Sequence, residues 1–177
     1  MKGAKKMKVT SAYANKMLKK LNEEKEFWIT KERESMVYTA AIDEDPVIPD
    51  YDYNEVTGKI RQIDEKIYKI KHAINLSNLN SEVDILGKKY SIDTLLVHMA
   101  QINKRKNVLD RMRKQLPKSR VPDSGWGSRK TIVEYRYVNY DLDQVSKDFD
   151  ELSQPIFEMQ LKLDEHNQNV LFDLEIE

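Results

Sequence analysis

The stretch Ser124-Gly125-Trp126-Gly127-Ser128-Arg129-Lys130 gathers the groups that a phosphorylated ligand requires. Two glycines around an aromatic, followed by two bases, offer backbone N–H groups, a stacking plane and positive charge to a nucleotide or nucleic acid. Arg113, Lys114, Lys118 and Arg120 approach this stretch from the preceding segment, and Tyr135, Arg136 and Tyr137 follow it. Arginine would hold a phosphate bidentately while Trp126 or a tyrosine stacked on a base. The expected ligand-binding set is therefore Arg113, Lys114, Lys118, Arg120, Trp126, Arg129, Lys130, Tyr135, Arg136 and Tyr137. The competing reading is a solvated loop with Trp126 folded back on the core. Part of its charge then needs no ligand, because cations are favoured at the negative end of the preceding helix.

Catalytic patterns are missing. His72, His98 and His166 lie far apart, and none has the His-x-x-x-His or Glu-x-x-His spacing of a zinc site, so packing or surface roles are expected for all three. Without cysteine, a nucleophile would have to be a hydroxyl beside a base, and no Ser or Thr sits in a strand-turn-helix elbow. Acid groups such as Asp43-Glu44-Asp45 and Asp148, Asp150 and Glu151 read as solvated linkers and helix faces. Neither G-x-G-x-x-G nor the P-loop pattern occurs. A binding protein is expected rather than an enzyme, with no catalytic residue, metal or cofactor.

The scaffold for these groups should be helical. Of 177 residues, 34% are charged and 40% apolar, while Gly and Pro number five each, which suits long solvated helices around a modest core. The absence of cysteine removes disulfides and any demand for an oxidising compartment, so the cytoplasm is the expected location. MKGAKKMK is basic like the start of a signal peptide, but polar residues follow where an apolar run would be needed. No segment of about 20 apolar residues exists to span a membrane.

Net charge is zero, yet the charges are segregated. Residues 42 to 55 carry six acids and no base; residues 104 to 136 hold eleven Lys or Arg against Asp110, Asp123 and Glu134; residues 141 to 177 reverse this with eleven acids against Lys147 and Lys162. Such blocks invite pairing within the chain or between subunits.

A first helix should start after Thr10 or Ser11 and run to about Met36, with the thin stripe Tyr13, Met17, Leu21 and Trp28, and Leu18 beside it. Two prolines and several acids make the connection to Asp52 irregular. Tyr53, Val56, Ile60, Ile63, Ile67, Ile70 and Ile74 alternate spacings of three and four, the heptad seam of a second helix. Residues 83 to 90 suit a β-hairpin turning at Gly87. Ser91 should cap a third helix running to about Leu116, with Leu95, Met99, Ile102, Leu109, Met112 and Leu116 on one face. A strand over residues 131 to 138 could pair with the hairpin. A second heptad seam runs from Leu142 through Val145, Phe149, Leu152, Ile156, Met159, Leu163 and His166 to Val170. Pro155 should kink or divide it. The first nine residues read as a flexible basic lead to a single helical domain over 1–177, and residues 170–177 as an edge strand or an arm.

Three stretches, INLSNLNSEVDILGKKYSIDTLL, VEYRYVNYDLDQVSKDFDEL and LKLDEHNQN, resemble the small bacterial septicolysin-like proteins, in order and over roughly residues 10 to 170. The resemblance implies an antiparallel helical bundle with a small β element and an oligomer, and supplies no catalytic residue. Two departures stand out. That family ends its last helix with Asn-Trp where Val170 here follows Asn169, and the basic loop around Trp126 differs from its pattern.

The expectation is thus a mainly α, heptad-patterned helical homo-oligomer that captures an anionic small molecule, first a nucleotide or nucleotide-derived messenger, for sequestration or sensing. A structural or protein-interaction module without a ligand is the alternative. RNA or DNA binding comes third, since zero net charge and the acidic last helix oppose a large nucleic-acid footprint.

Overall fold

The computed structural model describes residues 5–122 and 133–176. The protein is mainly helical, with small strand pairs. Whereas length suggests a single domain, contacts within the chain gather into two compact units, one formed by the residues up to Glu82 with those from Leu163 on, the other by Val83–Lys162. Among the described residues no helix is long and apolar enough to cross a membrane.

In the first unit, β1 (Lys5–Thr10) leads directly into α1 (Ser11–Ser35). Thr10 makes the change of direction, since its extended backbone frees the side-chain oxygen to accept from Tyr13 N–H at 3.2 Å, one of the N–H groups that the first turn leaves without an intrahelical partner. After the irregular connection, Asp52 caps α2 (Tyr53–Asn80) by accepting from the N–H groups of Asn54 and Glu55. The chain returns at the end of α5 (Ser153–Asn169) into β6 (Leu171–Ile176), which lies antiparallel to β1 with Met7 opposite Leu174 and Val9 opposite Phe172. The expected flexible lead is therefore a strand over the residues described. Met7 and Val9 alternate with Lys6 and Lys8, so one face of β1 can be buried while the other stays wet.

The core of this unit is Val9, Ala14, Leu18, Ile70 and Leu174. On α1 the buried line is Ser11, Ala14 and Leu18, and Tyr13, expected on the stripe, is 53% exposed. Ala14 is fully buried, and its small side chain lets the helix backbone approach its neighbours where tyrosine would hold it away. On α2 the buried residues are Val56, Ile63, Ile70 and Ser77, with Ile60, Ile67 and Ile74 half-buried, while Tyr53 is exposed. Lys25 reaches Asp64 at 2.7 Å and ties α1 to α2 on their wetter side.

The second unit opens with the hairpin of β2 (Glu82–Ile85) and β3 (Lys88–Ser91). Leu86 and Gly87 fill the turn with φ of 53° and 82°, the two left-handed residues of the turn that suits the twist of a two-residue hairpin. Asp84 accepts from Gly87 N–H at 2.8 Å. Ser91 caps α3 (Ile92–Arg113), on which Ile92, Leu95, Met99 and Leu109 are buried. Leu116 lies beyond the helix end and is exposed, so the face is shorter than its periodicity suggests.

A short ribbon follows, β4 (Lys118–Arg120) with β5 (Tyr135–Tyr137). Of the strand expected over 131–138, Tyr135–Tyr137 is observed, and it pairs with residues just after α3 and not with the β2–β3 hairpin. β4 lies close in the chain, so closing that loop is entropically cheaper. α4 (Leu142–Glu151), capped by Asp141, ends at Leu152, and α5 starts anew at Ser153. The break spares Pro155, which falls in the first turn of α5, where its missing N–H has no acceptor to leave unpaired. Val145 on α4 and Met159 on α5 are buried.

Candidate anion-binding ribbon

At the end of α3 two of the expected cations are already engaged. Asp110 accepts from Arg113 Nε at 2.9 Å and Nη2 at 2.8 Å, and Lys114 Nζ binds its other oxygen. The spacing of three and four residues along one helix face makes this triplet local. Lys114 first, and Arg113 second, hold the Asp110 carboxyl below the usual carboxylate range. Arg113 also lies 3.9 Å from the Phe149 ring centre, and Lys106 approaches the same ring at 4.8 Å. Tyr140 donates its O–H to Met112 O at 2.9 Å, a helix-end carbonyl that also accepts from Gln115 N–H at 3.1 Å. Lys114 thus finishes α3 locally, while Arg113, over Phe149, also ties it to α4.

The ribbon presents its cations differently. Lys118 is opposite Tyr137, Ser119 opposite Arg136 and Arg120 opposite Tyr135. Directly opposed residues share a face and faces alternate along a strand, so Lys118, Arg120, Tyr135 and Tyr137 stand together and Arg136 lies on the reverse with Ser119. The pairing extends through Val121 N–H to Glu134 O at 3.0 Å and Val138 N–H to Pro117 O at 3.3 Å. Lys118 Nζ sits 4.1 Å from the Tyr135 ring centre and 5.5 Å from that of Tyr137. Tyr135 is 47% and Tyr137 62% exposed. Among the described residues neither Lys118 nor Arg120 is in an ion pair.

Of the expected ligand set, the structure thus gathers Lys118, Arg120, Tyr135 and Tyr137, turns Arg136 to the other face, and engages Arg113 and Lys114 elsewhere. Trp126, Arg129 and Lys130 lie outside the described residues. The sequence reading missed Phe149, whose heptad position suggested only packing. It missed the role of Asp110 too, though the spacing to Arg113 and Lys114 was a usable signal.

The histidines have separate surroundings. His98 stacks on Tyr90 with ring centres 5.6 Å apart, His72 is exposed on α2, and His166 is 4% exposed. Among the described residues His166 Nε2 makes no hydrogen bond, and burial pushes its pKa below the ordinary value. No three His, Asp or Glu side chains come together as a metal site among the described residues.

No family model and no curated protein matches the chain. Among solved structures it is similar to that of a functionally unknown conserved protein from Corynebacterium diphtheriae, with a TM-score of 0.67 and 12% identity over 94% of this chain and 99% of that one. At that identity the likeness shows a shared fold over nearly the whole of both chains.

Proposed function

We propose that this protein is a non-enzymatic binding protein that captures an anionic ligand, a nucleotide or nucleotide-derived messenger, on the face formed by Lys118, Arg120, Tyr135 and Tyr137. One observation carries the reading: two cations outside any described ion pair share an exposed face with two tyrosine rings. A cation resting on an exposed ring is held by about 0.5–1 kcal/mol, whereas a hydrogen bond to a charged partner contributes roughly 1.5–3 kcal/mol. A phosphate therefore draws Lys118 off Tyr135, and the uncovered ring becomes a stacking plane for the base. The face offers charge and stacking, so its output is sequestration or sensing.

The same proposal takes the protein as a cytoplasmic homo-oligomer of antiparallel helices. The segregated acidic and basic blocks support it, as does the burial of Val56, Ile63, Ile70 and Ser77 at intervals of seven, a spacing suited to knobs-into-holes packing. Kinship to the septicolysin-like proteins stays in the proposal on the three sequence stretches alone. A structural module without a ligand is the second reading, favoured by the capture of Arg113 and Lys114 by Asp110.

Native mass spectrometry with a panel of nucleotides and cyclic dinucleotides tests both readings. The expected result is an oligomer that retains one of them and loses it in Lys118→Ala and in Tyr135→Ala, with folding unchanged by circular dichroism. An oligomer that ignores the whole panel and dissociates with salt overturns the capture reading in favour of the structural one. Retention of an oligonucleotide with steep salt dependence would replace both with nucleic-acid binding.

A further inference from the structure

A groove of about 780 Å³ runs between the C-terminal half of α2 and the length of β6. One wall is the strand itself, with consecutive residues Val170 to Glu175 lining it, as expected along a strand's edge. Among the described residues β6 pairs with β1 alone, so its second edge presents unpaired backbone N–H and C=O groups. The opposite wall includes Tyr68 and Leu76 of α2, 59% and 46% exposed. An open strand edge beside apolar side chains is the arrangement that accepts an added strand, with the main chain supplying affinity and alternate side chains supplying choice.

The charge at the groove selects the partner. Asp173 and Glu175 lie on the exposed face of β6 and share a single lysine, Lys6 of β1, at 3.5 and 3.8 Å. Those distances exceed a charge-assisted hydrogen bond of about 2.7–2.9 Å, so both carboxylates retain accepting capacity. Ser77, Asn80 and Ser81, at the C-terminal end of α2, also line the groove, and the last turn of that helix holds no basic residue to offset its negative end. Lys69 and His72 are the basic residues of the wall, set against two carboxylates and a helix C-terminus. β1 shows what suits β6 on the edge already filled, since Met7 and Val9 turn inward while Lys6 and Lys8 turn outward.

We infer that this groove binds an extended peptide segment in which apolar and basic residues alternate, added as a further strand on the free edge of β6. Its apolar side chains pack against α2 and its basic side chains meet Asp173 and Glu175. This site is independent of the ribbon and does not rest on nucleotide capture.

The test uses the full chain and labelled hexapeptides, followed by fluorescence anisotropy. The expected result is that Lys-Val-Lys-Val-Lys-Val binds at least about tenfold more tightly than Glu-Val-Glu-Val-Glu-Val. Methylation of alternate backbone nitrogens should weaken it by a similar factor of about ten, because strand addition loses its hydrogen bonds. Asp173→Asn with Glu175→Gln should weaken the basic peptide while leaving circular dichroism unchanged, and Leu76→Glu, on an exposed wall position, should block both peptides. Equal binding of the two peptides, no binding of either, or indifference to backbone methylation overturns the inference. So does sedimentation showing that a second copy of the chain excludes the peptide as protein concentration rises, which would make the groove a self-association surface.

Discussion

Two antiparallel ribbons of this protein combine basic residues with apolar or aromatic ones and use them in opposite ways. In β1–β6 the inner face carries Val9 and Leu174, 5% and 1% exposed, and the outer Lys6 answers Asp173 and Glu175. In β4–β5 every residue of β5 is exposed, and Lys118 rests on tyrosine rings instead of a carboxylate. The first ribbon is held by what it buries; the second displays its side chains. The difference lies in what packs against each, since α1 and α2 cover the inner face of β1–β6 with Ala14, Leu18 and Ile70. A two-stranded ribbon by itself is only marginally stable, and among the described residues no residue of β4 or β5 is buried.

The largest test of this contrast is Leu174→Ala against Tyr137→Ala. Removing a buried leucine should cost about 2–4 kcal/mol in urea unfolding, whereas the exposed tyrosine should change stability by less than about 0.5 kcal/mol. Equal losses would erase the distinction between the ribbons. The β2–β3 hairpin supplies a third case, because Leu86 is 69% exposed and strained by its left-handed backbone. Leu86→Asn should gain about 1 kcal/mol, read as a rise in melting temperature.

A pH dependence should belong to the β1–β6 unit. His166, whose carbonyl accepts from Val170 N–H just before β6, has its pKa lowered by burial. The unfolded chain protonates it near its ordinary pKa of about 6.5, so below that pH the unfolded state binds more protons than the folded one. Stability should therefore fall as the pH drops from 7 toward 5, and urea titrations of His166→Gln should show a shallower fall. The smallest effect is expected from Lys6→Ala. Its pairs are exposed, and surface pairs of this kind contribute under about 0.5 kcal/mol; a loss of several kcal/mol would mean that charge, and not Leu174, holds that ribbon.

Much of this was legible in local spacing. The helix starts at Thr10 and Ser91 follow from capping chemistry, the turn at Gly87 from a glycine between two short strand-like segments, and the interruption of the last helix from Pro155. These are effects within four or five residues, and the sequence states them directly. The candidate site was legible only in part. Local spacing pairs Lys114 with Asp110 and sets Arg136 on the face opposite Tyr135 and Tyr137, but nothing local brings Lys118 onto the Tyr135 ring.

By itself, the sequence determined the helical class, the caps, the breaks and the segregated charge, because each depends on backbone preferences and short-range periodicity. Tertiary structure alone decided that the N-terminal residues pair with the C-terminal ones, that Ala14 rather than Tyr13 faces the core, and that β5 joins β4. Those choices turn on side-chain volume and on pairing between residues far apart in the chain, where several partners satisfy the same local pattern and only close packing separates them.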